Sequence, residues 1–254
     1  MDLNLRGKTA LITGGSKGIG RACAEVLASE GCALHLAARG EEELLQARQT
    51  ISERYGVAVT IHPVDLSLGD NARALAAECA GIDIMVNNAG AIPRGDLWHV
   101  QEPHWREAWD LKVFGYINLS RAVYDNMRRR KQGVIVNVIG AAGQRPLSDY
   151  IAGGAGNAAL MAFTRALGGR SLRDGIRVVA VNPGLIKTER LETLLRSLAQ
   201  SRMGDPERWP ELMPKDPAPG DPQDIANFVA FLASDRARFA TGTVVTVDGG
   251  YTAT

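Results

Sequence analysis

The chain has 254 residues, 45% of them hydrophobic, which is enough to build one large α/β core. Its 29 basic and 28 acidic residues leave a formal net charge of +1, so neither nucleic acid nor an acidic membrane surface is indicated as a partner. No apolar run approaches the length that crosses a bilayer. The cysteines, Cys23, Cys32 and Cys79, are odd in number and have neither disulfide-framework nor zinc-site spacing. Together with an N-terminus (1–8) lacking a signal-peptide apolar core, they point to a reduced, cytoplasmic protein with no metal site.

Short β-type runs alternate with longer helical patterns, the signature of a parallel sheet covered by helices on both faces. Strands are expected at 8–13, 33–38, 57–64, 82–86, 133–139, 176–181 and 243–247. Helical patterns occupy 21–30, 41–55, about 71–80, 103–130, about 150 to just before Gly175, 189–201 and 223–234. The basic run Arg128-Arg129-Arg130-Lys131 falls at the end of the long helix, where cations suit the dipole. Prolines 183, 206, 210, 214, 217 and 219 break the rhythm over 183–221. No repeat or domain boundary interrupts the chain, so one domain is expected over 1–254.

The run Thr13-Gly14-Gly15-Ser16-Lys17-Gly18-Ile19-Gly20 follows the first strand and opens the first helix. Glycines there let the backbone approach phosphate closely, and the helix N-terminus offers free N–H groups and a positive dipole end. Farther on stand Asp65, Asn87-Asn88-Ala89-Gly90, Asn182-Pro183-Gly184 and Asp248-Gly249-Gly250. In order and spacing these motifs resemble the short-chain dehydrogenase/reductase family over essentially the whole chain. The resemblance implies a single-domain Rossmann-type, doubly wound parallel sheet of about seven strands, with a nicotinamide cofactor across the strand carboxyl ends. It implies cofactor contacts from Gly14, Ser16, Lys17, Gly18, Ile19, Gly20, Arg39, Asp65, Leu66, Asn88, Ala89, Gly90, Pro183, Gly184, Ile186 and Thr188. Strand two ends Ala37-Ala38-Arg39 with no carboxylate to select NAD, and Lys17 and Arg39 suit a 2′-phosphate, so NADP is expected over NAD. Two readings remain open beside these: Lys17 and Arg39 as solvated surface charges with Glu41 or Glu42 supplying a ribose contact, and Asp65 as a carboxylate at a helix N-terminus.

The family normally uses a Tyr proton donor, a Lys four residues later, a Ser and an Asn. Aligning the helix 158–164 without gaps puts Gly153 in the Tyr slot, Asn157 in the Lys slot, Gly140 in the Ser slot and Lys112 in the Asn slot. Tyr150 lies seven residues before Asn157, a spacing similar to that of the family's enoyl reductases. Tyr150, Lys112 and Asn157 are therefore the candidate catalytic residues, with a Lys112–Asn157 hydrogen bond expected. Glycines 140, 153, 154 and 156 leave space either for close packing or for a ligand. His35 and His62 fall on strand patterns, and His99 and His104 on a loop where solvation is the common fate. Leu191, Leu194, Leu195 and Leu198, with Trp209, Leu212 and Met213, form an apolar face that the resemblance makes a substrate lid over about 185–221; a buried helix face accounts for it equally well. The leading function is an atypical NADP(H)-dependent oxidoreductase acting on an activated C=C bond or an apolar carbonyl. The other is a nucleotide-binding protein without redox turnover, a sensor or subunit partner. The resemblance also implies a homotetramer or homodimer through the two long helices and the last strand.

Overall fold

The computed structural model describes residues 2–253; Met1 and Thr254, the two ends of the expected domain, lie outside the described residues. The first half alternates β1 (Thr9–Thr13), α1 (Gly18–Ser29), β2 (Ala33–Ala38), α2 (Glu41–Tyr55), β3 (Val59–Pro63), α3 (Gly69–Glu78) and β4 (Ile84–Asn87). The second half runs α4 (Glu102–Trp109), a π-helical turn (Asp110–Phe114), α5 (Gly115–Arg130), β5 (Gly133–Val138), α6 (Ile151–Ser171) and β6 (Ile176–Pro183). It closes with α7 (Glu189–Met203), a 3-10 helix (Pro206–Leu212), α8 (Pro222–Ala233) and β7 (Val244–Val247). All seven strands pair in parallel in the order β3-β2-β1-β4-β5-β6-β7. The chain reverses its direction of travel across the sheet between β1 and β4, and open α/β sheets bind ligands at the carboxyl ends flanking such a point.

Strand alternation divides the core into two layers. Ala10 and Ile12 of β1 pack with Leu27 of α1, Leu44 and Ile51 of α2 and Val229 of α8. Leu11, one residue out of phase, faces the other way with Leu75 of α3 and Leu119 and Val123 of α5. Every residue of β6 is buried, as expected of an interior parallel strand.

Boundaries differ from the sequence pattern for identifiable reasons. The third strand is trimmed from 57–64 to Val59–Pro63 because it is the sheet edge and pairs with β2 only over those residues. The fourth spans Ile84–Asn87 rather than 82–86. The sixth continues past 181 because Asn182 and Pro183 still pair with Thr246 and Val247. The helix expected over 103–130 starts at Glu102 and contains the π turn, in which Lys112 and Val113 are both buried. In the basic cluster at its end, Arg128 and Arg129 bond Asp125 and Arg130 donates to the Gly81 carbonyl, so that cluster is structural.

The second half is fastened by Arg177 of β6. Its buried guanidinium donates to the carbonyls of Leu232, Ala233 and Ser234 at 2.6, 3.1 and 3.0 Å, capping the C-terminus of α8. Arg177→Met should destabilise the protein by about 2–4 kcal/mol in urea denaturation, since it leaves buried carbonyls without donors; a loss under 1 kcal/mol would show that water replaces the guanidinium.

Candidate active site

The loops after β1 and β4 are stitched together at the carboxyl edge. The Thr13 hydroxyl accepts the N–H groups of Asn88 (2.9 Å) and Ala89 (3.0 Å), and the Asn88 amide donates back to the carbonyls of Thr13 (3.1 Å) and Gly14 (3.3 Å). Two glycines are obligatory in this arrangement. Gly14 has φ +65°, and a Cβ on Gly20 would stand 2.1 Å from the Gly14 carbonyl oxygen. The outcome is a side-chain-free cradle beside the N-terminus of α1, whose first N–H groups point outward. The cradle fits a dinucleotide pyrophosphate.

Below the cleft runs a satisfied polar chain. Asn87 donates to Ser120 (3.1 Å) and Asn137 (2.9 Å), and Asn137 donates to Thr164 (2.9 Å), linking β4, α5, β5 and α6. Next to it Lys112 is only 7% exposed. Its Nζ donates to Tyr116 Oη and to the Val138 carbonyl, both at 2.8 Å, and Tyr116 donates to the same carbonyl at 2.9 Å. Burial, helped by the positive charge of Arg190, pushes the Lys112 ammonium down to about 7. Burial likewise raises the Tyr116 phenol well above its ordinary value.

Tyr150 is the N-cap of α6, and its ring lies on Gly153: a Cβ at residue 153 would stand 2.0 Å from Tyr150 Cζ. Ile92, Val100, Ala108 and Ala152 pack around it. Asn157, one turn farther along, is 4% exposed and lies against Gly140, where an added Cβ would stand 2.7 Å from its Nδ2. Neither the Tyr150 hydroxyl nor the Asn157 amide has a protein hydrogen-bond partner among the described residues, and since no buried side-chain polar atom there lacks one, both groups keep access to solvent. The expected Lys112–Asn157 bond is not formed, because the Lys112 amine is taken by Tyr116 and Val138. Nor does Lys112 extend to solvent, being buried.

The remaining expected residues divide clearly. Ser16, Gly18, Ile19 and Gly90 line the loops at the edge, and Arg39 is exposed at the end of β2 with no ion pair among the described residues. Lys17 is exposed and 3.7 Å from Glu189. Asp65 accepts the Ser67 N–H at 3.0 Å in the turn leading to α3, and the Leu66 side chain belongs to the core, leaving only its backbone for the cleft. Pro183 ends β6, and Gly184 lies against Asp248, which holds the Gly250 and Thr252 N–H groups. The Ile186 side chain is buried, and Thr188 caps α7 by accepting the Leu191 N–H at 3.4 Å. His99 bonds Asp96 on the surface and His104 is exposed, so neither joins the cleft.

Sequence reasoning missed three contributors. Thr13 closes the stitch and Tyr116 holds Lys112. Arg190, in the first turn of α7, donates to the carbonyls of Gly90 (3.0 Å) and Ile92 (2.9 Å), drawing that helix onto the loop after β4. Tyr116, four residues after Lys112, was detectable as an i,i+4 pair; Arg190 makes contacts 98 and 100 residues away and left no local signal.

A cradle of this kind at the reversal point of a parallel sheet defines a dinucleotide-binding α/β protein. The family model described as enoyl-(acyl carrier protein) reductase matches residues 14–252. The 3-oxoacyl-[acyl-carrier-protein] reductase FabG of Vibrio cholerae is 33% identical over 254 residues, covering 98% of both chains, and that of Escherichia coli is 33% identical over 257 residues with the same coverage. Among solved structures, L-sorbose reductase from Gluconobacter frateurii complexed with NADPH and L-sorbose superposes with a TM-score of 0.92 at 32% identity over all of both chains. Levodione reductase does so at 0.90 and 28% identity over 98% of each. The chain belongs to the short-chain dehydrogenase/reductase family of oxidoreductases.

The buried amine makes a pH-dependent prediction. Between its folded value near 7 and the ordinary 10.5, the unfolded chain holds a proton that the folded chain has released, so stability rises with pH across that window. Lys112→Met keeps the Tyr116–Val138 bond and removes the buried charge. It should therefore stabilise the protein by on the order of 2 kcal/mol at pH 6, with the advantage shrinking towards pH 10. Equal urea midpoints for the two proteins at pH 6 would show that the Lys112 amine is solvated.

Proposed function

We propose that the protein is an NADP(H)-dependent oxidoreductase reducing a carbonyl or an activated C=C bond of a small, partly apolar molecule, with the Tyr150 phenol as proton donor. The observation that carries this reading is the Tyr150 ring seated on Gly153. By family resemblance residue 153 is where the donor Tyr belongs, and the glycine there makes room for a phenol delivered from one helical turn earlier. The ring packs on Ile92, Val100, Ala108 and Ala152 while the hydroxyl, without a protein partner, stays open to solvent where a substrate can reach it.

The glycine cradle and the α1 N-terminus suit the pyrophosphate, and Arg39 and Lys17 suit a 2′-phosphate. The Lys17–Glu189 pair is exposed, worth about 0–1 kcal/mol, and does not hold Lys17 back from a phosphate. The NADPH complex of the Gluconobacter relative supports the same choice. When bound, NADPH supplies a hydride. Tyr150 holds the proton that the substrate oxygen or carbon takes up as the double bond is reduced. The Asn157 amide, without a protein partner and so open to solvent at its polar atoms, is placed to hydrogen-bond the substrate or the ribose. Lys112, its amine held by Tyr116 and the Val138 carbonyl, ties the helix after β4 to β5 behind the Gly90 loop. The segment 185–221 serves as a substrate lid: Leu191 and Leu195 are buried, and Arg190 clasps it to the β4 loop. The FabG relatives and the matching family description favour 3-oxoacyl or enoyl thioesters as the first substrates to try.

NADPH oxidation should be followed with ketones, 3-oxoacyl thioesters and enoyl thioesters. Tyr150→Phe should lower kcat by roughly 10²–10⁴-fold while the NADPH Kd stays within about twofold. Arg39→Ala should weaken NADP by about 1–3 kcal/mol and leave NAD unchanged. Unaltered kcat in the first variant would remove the phenol's role, and equal weakening of both cofactors in the second would remove the 2′-phosphate contact.

A further inference from the structure

Apart from the cleft, three soft or borderline ligand atoms converge on the α3–α5 face of the sheet. His35 lies in β2 and His62 in β3. Because Ala37 pairs with His62, and His35 is two residues before Ala37, both imidazoles emerge on the same face. Cys79, at the C-terminal cap of α3, closes the group from above. His35 Nδ1 is 2.8 Å from His62 Nε2, and Cys79 Sγ is 3.7 Å from that same nitrogen, with all three atoms within 4.8 Å of one another. The other nitrogen of His62, Nδ1, is 3.1 Å from the Glu78 carboxylate. We propose that His35 Nδ1, His62 Nε2 and Cys79 Sγ form a binding site for a divalent cation of borderline softness, Zn²⁺ above all, with Glu78 orienting His62 from behind.

The donor set and the arrangement both support this. Two imidazole nitrogens and a thiolate, with a fourth position left for water, are a zinc-type donor set. Tetrahedral Zn²⁺, at about 2.0–2.1 Å from nitrogen and 2.3 Å from sulfur, sets N···N near about 3.3 Å and N···S near about 3.6 Å. The spacing from Cys79 Sγ to His62 Nε2 is already met, the two rings need to part by about half an ångström, and the sulfur and His35, within 4.8 Å of each other, settle to the tetrahedral spacing by rotation of the Cys79 side chain. A histidine ligand that hands its second N–H to a carboxylate is the usual outer-shell partner of zinc, and it fixes Nε2 as the atom with the free lone pair. Binding balances simply. His35 moves its proton from Nδ1 to Nε2, the Cys79 thiol releases one proton to solvent, and both lone pairs and the thiolate turn to the cation. The cation would tie the edge strand β3 and the end of α3 to β2. The sequence hides the site, because its ligands are 27 and 17 residues apart and come from three elements.

The test is a titration of the reduced, metal-stripped full chain with Co²⁺, read by thiolate-to-cobalt charge-transfer absorption, followed by displacement with Zn²⁺. One equivalent should saturate the band and Zn²⁺ should abolish it. Cys79→Ser should lose the band, and Glu78→Gln should bind Co²⁺ roughly 10–100-fold more weakly. No band, or a band undiminished in Cys79→Ser and so owed to Cys23 or Cys32, would overturn the proposal. Should Cys79→Ser fail to fold, Glu78→Gln alters only an exposed carboxylate and decides alone: unchanged affinity overturns the site.

Discussion

Two hydrogen bonds to one hydroxyl hold the cleft together. Beyond β1 and β4 the chain diverges to opposite sides of the sheet, and nothing in the ladder itself keeps the two exits in register. Thr13 does so by accepting from Asn88 and Ala89, while the Asn88 amide returns two bonds to the β1 exit. The stitch fixes the Gly14 carbonyl so close to Gly20 that no side chain fits there. The glycines of the turn are thus consequences of how tightly the two loops are drawn together. The backbone is laid bare, beside a helix N-terminus, where an anionic cofactor requires close approach.

The other half of the cleft carries an energetic burden. A buried ammonium with two hydrogen bonds costs more than an apolar side chain of the same length, and the π turn that carries it departs from the commoner helix. Both features sit between the polar chain Asn87–Asn137–Thr164 and the unpartnered Tyr150 and Asn157. Local rules are broken here together, and such clustering is characteristic of working sites in proteins whose remaining parts are locally consistent. Fold and stability alone give no reason to keep a lysine at residue 112.

Much of the fold was legible in the sequence, for physical reasons. Interior parallel strands read as apolar runs, so 33–38 and its helix 41–55 emerged with their observed bounds. The glycine turn was legible because only a backbone without side chains can pass Gly14 and Gly20. What stayed hidden depended on distant partners. Lys112 is held inside by Tyr116 and by the Val138 carbonyl of β5. Arg190 and the His35–His62–Cys79 group become neighbours only once the crossovers are closed. The Lys112–Asn157 pairing was plausible from the exchanged residue types alone, but it overlooked Tyr116, which competes for the amine from one turn away.

A phenol carried one turn along α6 can be carried back. In Tyr150→Ala/Gly153→Tyr the ring that crowds residue 153 is gone and a phenol grows from 153 itself. NADPH-dependent turnover should fall by roughly 10²–10⁴-fold in Tyr150→Ala and recover by at least about tenfold when Gly153→Tyr is added. A double variant no faster than Tyr150→Ala, with NADPH affinity intact in both, would contradict the transfer of the proton donor from residue 153 to residue 150.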